Sequence, residues 1–125
     1  MDSKSHRILL VEDFEDNRVA LSKLLQLEGY TVIEATDGAQ AIQTAKSDRP
    51  SLILMDLSLP VVDGLTATRT IRETPGLECI PIIALSGHDA VELGGDAKLA
   101  GISDYVTKPV DFDLLIDLLS RYLPR

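Results

Sequence analysis

The sequence predicts an α/β fold built on a parallel β-sheet. Five apolar runs of strand length recur along the 125 residues, and segments with helical spacing of apolar residues lie between them. Most of the runs are continuous rather than alternating, which is typical of strands buried on both faces of a parallel sheet. A β-α unit repeated five times gives such a sheet, with right-handed crossovers.

The predicted strands are short and strongly apolar. They are RILLV (7–11), YTVIEA (30–35), SLILM (51–55), PIIAL (81–85) and DYVT (104–107). Pro81 opens the fourth run, and the first position of a strand is one of the few places in a sheet where proline is tolerated. The third run is the most apolar, yet an acid, Asp56, follows it directly.

Helical spacing of apolar residues predicts five helices. Gly29 ends the first of them, and Asp111 is the expected N-cap of the last. The fourth has the weakest pattern because Gly94 and Gly95 lie in its middle, and each glycine costs about 0.8–1 kcal/mol relative to alanine. The predicted helices span residues 15–28, 38–47, 64–73, 89–99 and 111–122.

Length and composition predict a single domain over residues 1–125, with a disordered tail at 1–6 and a core at about 7–122. The net charge of −8 would repel a phosphate backbone, which argues against direct nucleic-acid binding. No apolar run reaches the roughly 20 residues of a membrane span, and the first residues lack the apolar core of a signal peptide. A single cysteine, Cys79, fits a reducing cytoplasmic setting.

Chemically active side chains follow four of the five predicted strands. Glu12 and Asp13 follow the first strand, Asp56 the third, Ser86 the fourth and Lys108 the fifth. In an open α/β sheet the functional crevice lies at the carboxyl ends of the strands. We therefore expect three acids, one hydroxyl and one amine to meet at one edge of the sheet.

These five side chains form a consistent set for magnesium-dependent phosphoryl transfer. Carboxylates brought close together repel one another, and a hard cation such as Mg²⁺, which prefers oxygen ligands, relieves that repulsion. An Asp56 that stays ionised is then a nucleophile toward phosphorus. Lys108 supplies a positive charge for the phosphoryl oxygens and Ser86 a hydroxyl donor, and phosphoryl transfer requires mainly positioning and charge neutralisation.

Each of these residues also has an ordinary structural interpretation. Asp13 would cap the helix that follows it, and Asp63 with Gly64 would form a turn and a second N-cap. Ser86 would bond to nearby backbone, and Lys108 would be a solvated lysine before a turn proline. Each interpretation is reasonable for one residue, but together they leave unexplained why a self-consistent chemical set falls at the strand ends.

Four motifs resemble the receiver domain of two-component response regulators. They are VED after the first strand, MDLSLPVVDG from the end of the third, ALS at the end of the fourth and DYVTKP in the fifth. The match covers about residues 7–122, and the spacings between the motifs also fit. The resemblance implies a flavodoxin-like, doubly wound (βα)5 sheet in the strand order 2-1-3-4-5.

The resemblance also implies the roles of the site residues. Asp56 would be the phosphoacceptor, receiving phosphate from a phosphohistidine of a sensor kinase or a phosphotransfer protein. Glu12 and Asp13 would bind Mg²⁺ together with Asp56 and the backbone carbonyl of Ser58. Lys108 would contact the phosphate, and its peptide bond to the following proline would be cis.

By the same resemblance, phosphorylation would switch a surface that signals to a partner. Ser86 would be the switch hydroxyl and Tyr105 the switch aromatic. The responding surface would combine predicted helix 89–99, strand 103–107 and helix 111–122. It would contact a downstream protein or a second copy of the chain in a phosphorylation-dependent homodimer. Such a protein catalyses only its own phosphorylation and dephosphorylation.

Other functions remain as alternatives. The chain is also consistent with a receiver domain cut from a hybrid histidine kinase or a larger regulator. An aspartyl-phosphate hydrolase usually has a second Asp two positions after the nucleophile, where this sequence has Ser58. A receiver-like module that never takes phosphate is disfavoured by the intact set of five residues. A nucleotide-binding domain is disfavoured because the turn EDFED lacks glycine.

Overall fold

The five predicted strands pair as a single parallel sheet in the computed structural model, which describes residues 6–87 and 100–124. The strands are β1 (Arg7–Val11), β2 (Thr31–Ala35), β3 (Leu52–Asp56), β4 (Ile82–Ser86) and β5 (Asp104–Thr107). Their order across the sheet is β2-β1-β3-β4-β5, and every neighbouring pair is parallel. The predicted fold class and strand order are therefore confirmed.

Four helices lie among the described residues. They are α1 (Glu15–Leu27), α2 (Gly38–Asp48), α3 (Gly64–Arg72) and α4 (Phe112–Tyr122). The predicted helix 89–99 lies outside the described residues. No helix in the described part of the chain is long and apolar enough to cross a membrane.

Aspartates start three of the helices, as expected for a side chain that accepts a hydrogen bond from an exposed backbone N–H. Asp37, Asp63 and Asp111 each accept from the N–H three residues ahead. The N-cap of α1 is Phe14, which makes no side-chain cap hydrogen bond. The interpretation of Asp13 as a helix cap is therefore wrong, and its carboxylate needs another explanation.

Two apolar layers cover the sheet, and alternate residues of each strand contribute to opposite layers. Ile8 and Leu10 of β1 pack with leucines of α1 and α4 on one face. Leu9 and Val11 pack with alanines of α2 and with Ile71 of α3 on the other. Burial on both faces explains why the central strands are continuous apolar runs.

The strand boundaries differ slightly from those predicted. Asp56 and Ser86 are the last residues of β3 and β4 rather than the residues after them. Strand β2 begins at Thr31, because the N–H of Tyr30 still bonds to the carbonyl of Leu25 and completes the turn after α1. The backbone of Asp56 is therefore held by the pairing of β3 with β4, and it is more rigid than it would be in a loop.

Gly64 occupies a position where a side chain does not fit. A Cβ there would meet the carbonyl oxygen of Asp56 and lie 2.7 Å from the Cα of Leu57. Because both contacts are backbone, we expect Gly64→Ala to lower the free energy of unfolding by about 2 kcal/mol. In Gly87→Ala, a matched control, the new Cβ has nothing within 4 Å, and the change should stay below about 0.5 kcal/mol. Urea denaturation measures both variants, and equal losses would contradict the prediction.

Candidate functional site

The strand ends bring four of the five candidate side chains together. Glu12 and Asp13 directly follow β1, and Asp56 ends the neighbouring strand β3. One carboxylate oxygen from each of the three acids lies within 4.8 Å of the others. The Nζ of Lys108, which follows β5, lies 3.1 Å from Oδ2 of Asp56 and 3.5 Å from Oε1 of Glu12.

Asp56 is a buried carboxylate with a defined partner on each oxygen. It is 2% exposed, and its Oδ1 accepts a hydrogen bond of 2.9 Å from the N–H of Ser58. Its Oδ2 faces the ammonium group of Lys108. A buried charge is costly without such partners. Residues 57–68 contain no lysine or arginine, so the positive partner of Asp56 comes from Lys108, after another strand. The side chain of Lys108 is 27% exposed, and its interpretation as a solvated lysine is wrong.

The two acids after β1 have different environments. Glu12 is buried, and its Oε2 accepts from the N–H of Phe14 at 3.1 Å, while Oε1 faces Lys108. Asp13 is exposed to solvent. The site therefore has a buried wall formed by Glu12 and Asp56 and an open side formed by Asp13.

The electrostatics of the site follow from this arrangement. Burial raises the pKa of Glu12, and the charge of Asp56 adds to that rise. Burial alone would lower the pKa of Lys108, but its hydrogen bonds and ion pairs with Asp56 and Glu12 together outweigh that effect and raise it. Lys108 is thus firmly protonated, whereas ionisation of Glu12 costs free energy.

The donor set fits a magnesium ion. All three groups are carboxylates, which are the hard oxygen ligands that Mg²⁺ prefers. Among residues 6–87 and 100–124, the ammonium group of Lys108 is the one that faces two of them, and one positive charge does not balance three carboxylates. Mg²⁺ needs one or two protein carboxylates and otherwise keeps its waters, so the open side at Asp13 suits it.

Ser86 lies at the same edge of the sheet as the acids. It ends β4 and is 2% exposed. Its backbone carbonyl accepts a 2.6 Å hydrogen bond from the N–H of Lys108, so the end of β4 holds the loop that carries the lysine. The peptide bond between Lys108 and Pro109 is cis, as the resemblance implied.

Two further residues named by the resemblance lie near this edge. Tyr105 is half-buried in β5, two positions before the end of that strand. Ser58 is exposed and donates its N–H to Asp56. The switch role of Tyr105 and the metal-binding role of the Ser58 carbonyl stay predictions.

The loop after Asp56 contains a turn that the sequence did not indicate. Val61 has a φ of 68° and is 82% exposed, although a β-branched residue is rarely found in the left-handed region. The N–H of Val62 bonds to the carbonyl of Pro60 across it at 2.8 Å. A Cβ at Gly38 would strike the backbone of Val62, so the absent side chain of Gly38 makes room for this turn.

The raised pKa of Glu12 leads to a prediction for the metal-free protein. We expect Glu12→Gln to raise the free energy of unfolding by about 1 kcal/mol at neutral pH, because a neutral amide avoids the cost of a buried charge. A carboxyl group whose folded-state pKa is raised carries its penalty above that pKa and loses it as the pH falls through it. The stabilisation should therefore shrink on acidification.

Thermal unfolding in EDTA across a series of pH values measures this effect. Glu78→Gln is the matched control, since the exposed Glu78 carboxylate also accepts a backbone N–H, from Gly76. The control should show no comparable gain. A stabilisation of Glu12→Gln that grew on acidification would contradict the prediction.

Comparisons with known proteins agree with the geometry. The family model of the response regulator receiver domain matches residues 8–120. The chain is 32% identical over 120 residues to the chemotaxis protein CheY of Bacillus subtilis, covering 95% of this chain and 98% of that protein. It is 34% identical over 118 residues to the CAI-1 autoinducer sensor kinase/phosphatase CqsS of Vibrio cholerae, covering 94% of this chain but 17% of that protein.

Among solved structures, the chain is similar to the receiver domain of the sensor histidine kinase PA1611 from Pseudomonas aeruginosa. The sequences are 40% identical, the match covers 94% of this chain and 97% of that one, and the TM-score is 0.83. That crystal structure has a magnesium ion coordinated in the active site cleft.

Proposed function

Since this chain belongs to the response regulator receiver domain family, we propose that it is a signalling switch that accepts a phosphoryl group on Asp56. One observation carries the proposal. A buried carboxylate at the end of a central strand faces an ammonium group at 3.1 Å and lies within 4.8 Å of two further acids. A capping aspartate or a surface ion pair would need neither this burial nor this charge cluster.

The chain's own residues orient the nucleophile. The N–H of Ser58 holds Oδ1 of Asp56, which leaves Oδ2 directed toward Lys108 as the oxygen that attacks phosphorus. As the bond from Oδ2 to phosphorus forms, the bond from phosphorus to the imidazole nitrogen of the donor breaks. The donor is a phosphohistidine on a histidine kinase or a histidine phosphotransfer protein.

Charge neutralisation comes from two sources. Lys108, whose Nζ lies 3.1 Å from Oδ2 of Asp56, pairs with the incoming phosphoryl oxygens in place of that carboxylate. The carboxylates of Glu12, Asp13 and Asp56, with the carbonyl of Ser58, would hold Mg²⁺. When bound, the ion supplies positive charge that lets the acids and the phosphoryl oxygens lie side by side.

Phosphorylation changes the conformation of one surface of the protein, and this change is the output of the switch. The hydroxyl of Ser86 turns toward the phosphoryl group, and Tyr105 changes its rotamer in response. The surface that responds includes β5, α4 and residues 89–99, of which the last lie outside the described residues. It binds a downstream protein or a second copy of the chain. The hydrogen bond between the N–H of Lys108 and Ser86 supports this coupling, because it joins two strand ends that both face the phosphate.

Incubation with acetyl phosphate tests the proposed function without a partner protein. With Mg²⁺ present, intact-protein mass spectrometry should show one added phosphoryl group per chain, which is lost on mild acid or base treatment. With EDTA present, the modification should not form, because the carboxylates then repel the donor. Absence of modification, or modification that ignores EDTA, would contradict the proposal.

A further inference from the structure

The guanidinium group of Arg18 lies against the backbone of the acidic loop after β1. Its Nη1 donates to the carbonyl oxygens of Glu12 at 3.1 Å and of Asp13 at 3.5 Å. Its Nε donates to Oε1 of Glu34 at 3.1 Å. The Arg18 side chain is 14% exposed, so it is held in place rather than extended into solvent.

Helix and sheet geometry explain this placement. Arg18 is the fourth residue of α1, and long helical side chains point back toward the N-terminus of their helix. That direction leads from Arg18 to the loop at 12–14. Glu34 lies on β2 directly beside Leu10 of β1, so its carboxylate reaches the other side of the same guanidinium. Arg18 therefore bridges α1, the acidic loop and β2.

Within the acidic loop, Arg18 contacts backbone rather than side chains. The carbonyl groups of Glu12 and Asp13 both face the guanidinium, so two consecutive peptide groups are oriented by one donor group. The N–H of Glu12 is bound separately to the carbonyl of Ala35. Asp13 is exposed, so we expect the direction of its carboxylate to depend on its backbone.

We propose that Arg18 is a positioning residue that holds Glu12 and Asp13 in the geometry needed to bind Mg²⁺, and that Glu34 orients Arg18. The proposal rests on the proposed function in taking Mg²⁺ as the metal of this site. Groups that orient metal ligands typically change metal affinity 10–100-fold when they are removed.

The direction in which Mg²⁺ affinity changes when Arg18 is removed distinguishes a positioning role from a purely electrostatic one. Arg18 is a cation near a cation site, so its charge alone would weaken Mg²⁺ binding, and its deletion would then tighten it. Positioning predicts the opposite, a loss of affinity on deletion. The ion pair with Glu34 offsets the unfavourable charge while leaving Nη1 free to hold the loop.

An NMR titration of the metal-free protein with MgCl₂ tests the proposal and needs no phosphodonor. We expect Arg18→Met, which keeps the apolar stem, to raise the Mg²⁺ dissociation constant about 10-fold. Exchange of the Phe14 amide in the metal-free protein should also become faster, because the loop is held less firmly. Arg121→Met is the control, since Arg121 is 68% exposed and pairs with Asp117 in the last turns of α4. It should bind Mg²⁺ as the wild type does.

A second variant keeps the test decisive if Arg18→Met folds poorly. Arg18→Lys retains the charge but not the forked donor group, so it cannot hold the loop and Glu34 together. We expect it to bind Mg²⁺ several-fold more weakly than the wild type. Unchanged or tighter binding in either variant would overturn the proposal. A wild-type protein that bound Mg²⁺ but took no phosphate would refute the proposed function alone.

Discussion

Asp56→Asn should abolish phosphorylation by acetyl phosphate, reducing the rate at least ~10³-fold. Asparagine has nearly the same shape as aspartate, so the hydrogen bond from Ser58 to Oδ1 can form. Its amide is neutral and weakly nucleophilic, however, and it cannot replace the carboxylate in bonding to phosphorus. Lys108 also loses the partner that lies 3.1 Å away. Intact-protein mass spectrometry over a time course measures the rate.

Asp63→Asn is the matched control in the same loop. The carboxylate of Asp63 accepts hydrogen bonds from Thr66 at the start of α3, and asparagine caps a helix about as well as aspartate. This variant should be phosphorylated at close to the wild-type rate. Modification of Asp56→Asn at the wild-type level would show that another residue takes the phosphoryl group.

Asp13→Asn should weaken Mg²⁺ binding about 10-fold or more and nearly abolish phosphorylation. The variant removes one direct carboxylate ligand from the open side of the site. Loss of a direct ligand should reduce Mg²⁺ affinity at least as much as loss of a group that only orients a ligand. Titration with MgCl₂ followed by NMR gives the affinity, and acetyl phosphate labelling at saturating Mg²⁺ separates weak binding from slow chemistry.

Lys108→Met provides the contrast to Asp13→Asn. It removes a positive charge that faces Glu12 and Asp56, so Mg²⁺ binding should be retained or become tighter. The conformational response should be lost instead. Addition of beryllofluoride, which mimics a phosphoryl group, should leave the amide shifts of β5 and α4 unchanged in this variant. Equal losses of Mg²⁺ affinity in the two variants would contradict this division of roles.

The sequence predicted the sheet, and the meeting of the acids and Lys108 at one edge of it, because both follow from simple rules. Continuous apolar runs indicated buried parallel strands, and the carboxyl ends of such strands meet at one edge. The acids after the first and third runs therefore had to lie close together. One carboxylate oxygen from each acid lies within 4.8 Å of the others, because β1 and β3 are neighbouring strands.

Contacts that depend on the path of a long side chain could not be predicted. Nothing in the spacing of Arg18 distinguishes its bridge between α1 and β2 from an ordinary solvated arginine. The sequence left open the alternative interpretation of Asp13 as a helix cap, because an aspartate before a helix is often one; α1 begins one residue too late for that role. The left-handed Val61 also gave no signal, since glycine or asparagine would be expected there.

The most direct test is to locate the phosphoryl group on the wild-type protein. After labelling with acetyl phosphate and Mg²⁺, borohydride reduction converts an aspartyl phosphate to homoserine, and peptide mass spectrometry identifies the modified position. We expect homoserine at Asp56, in the peptide that contains MDLSLPVVDG, and at no other aspartate. Homoserine at Asp13 or Asp63 instead, or none in a protein that binds Mg²⁺, would contradict the assignment of Asp56 as the phosphoacceptor.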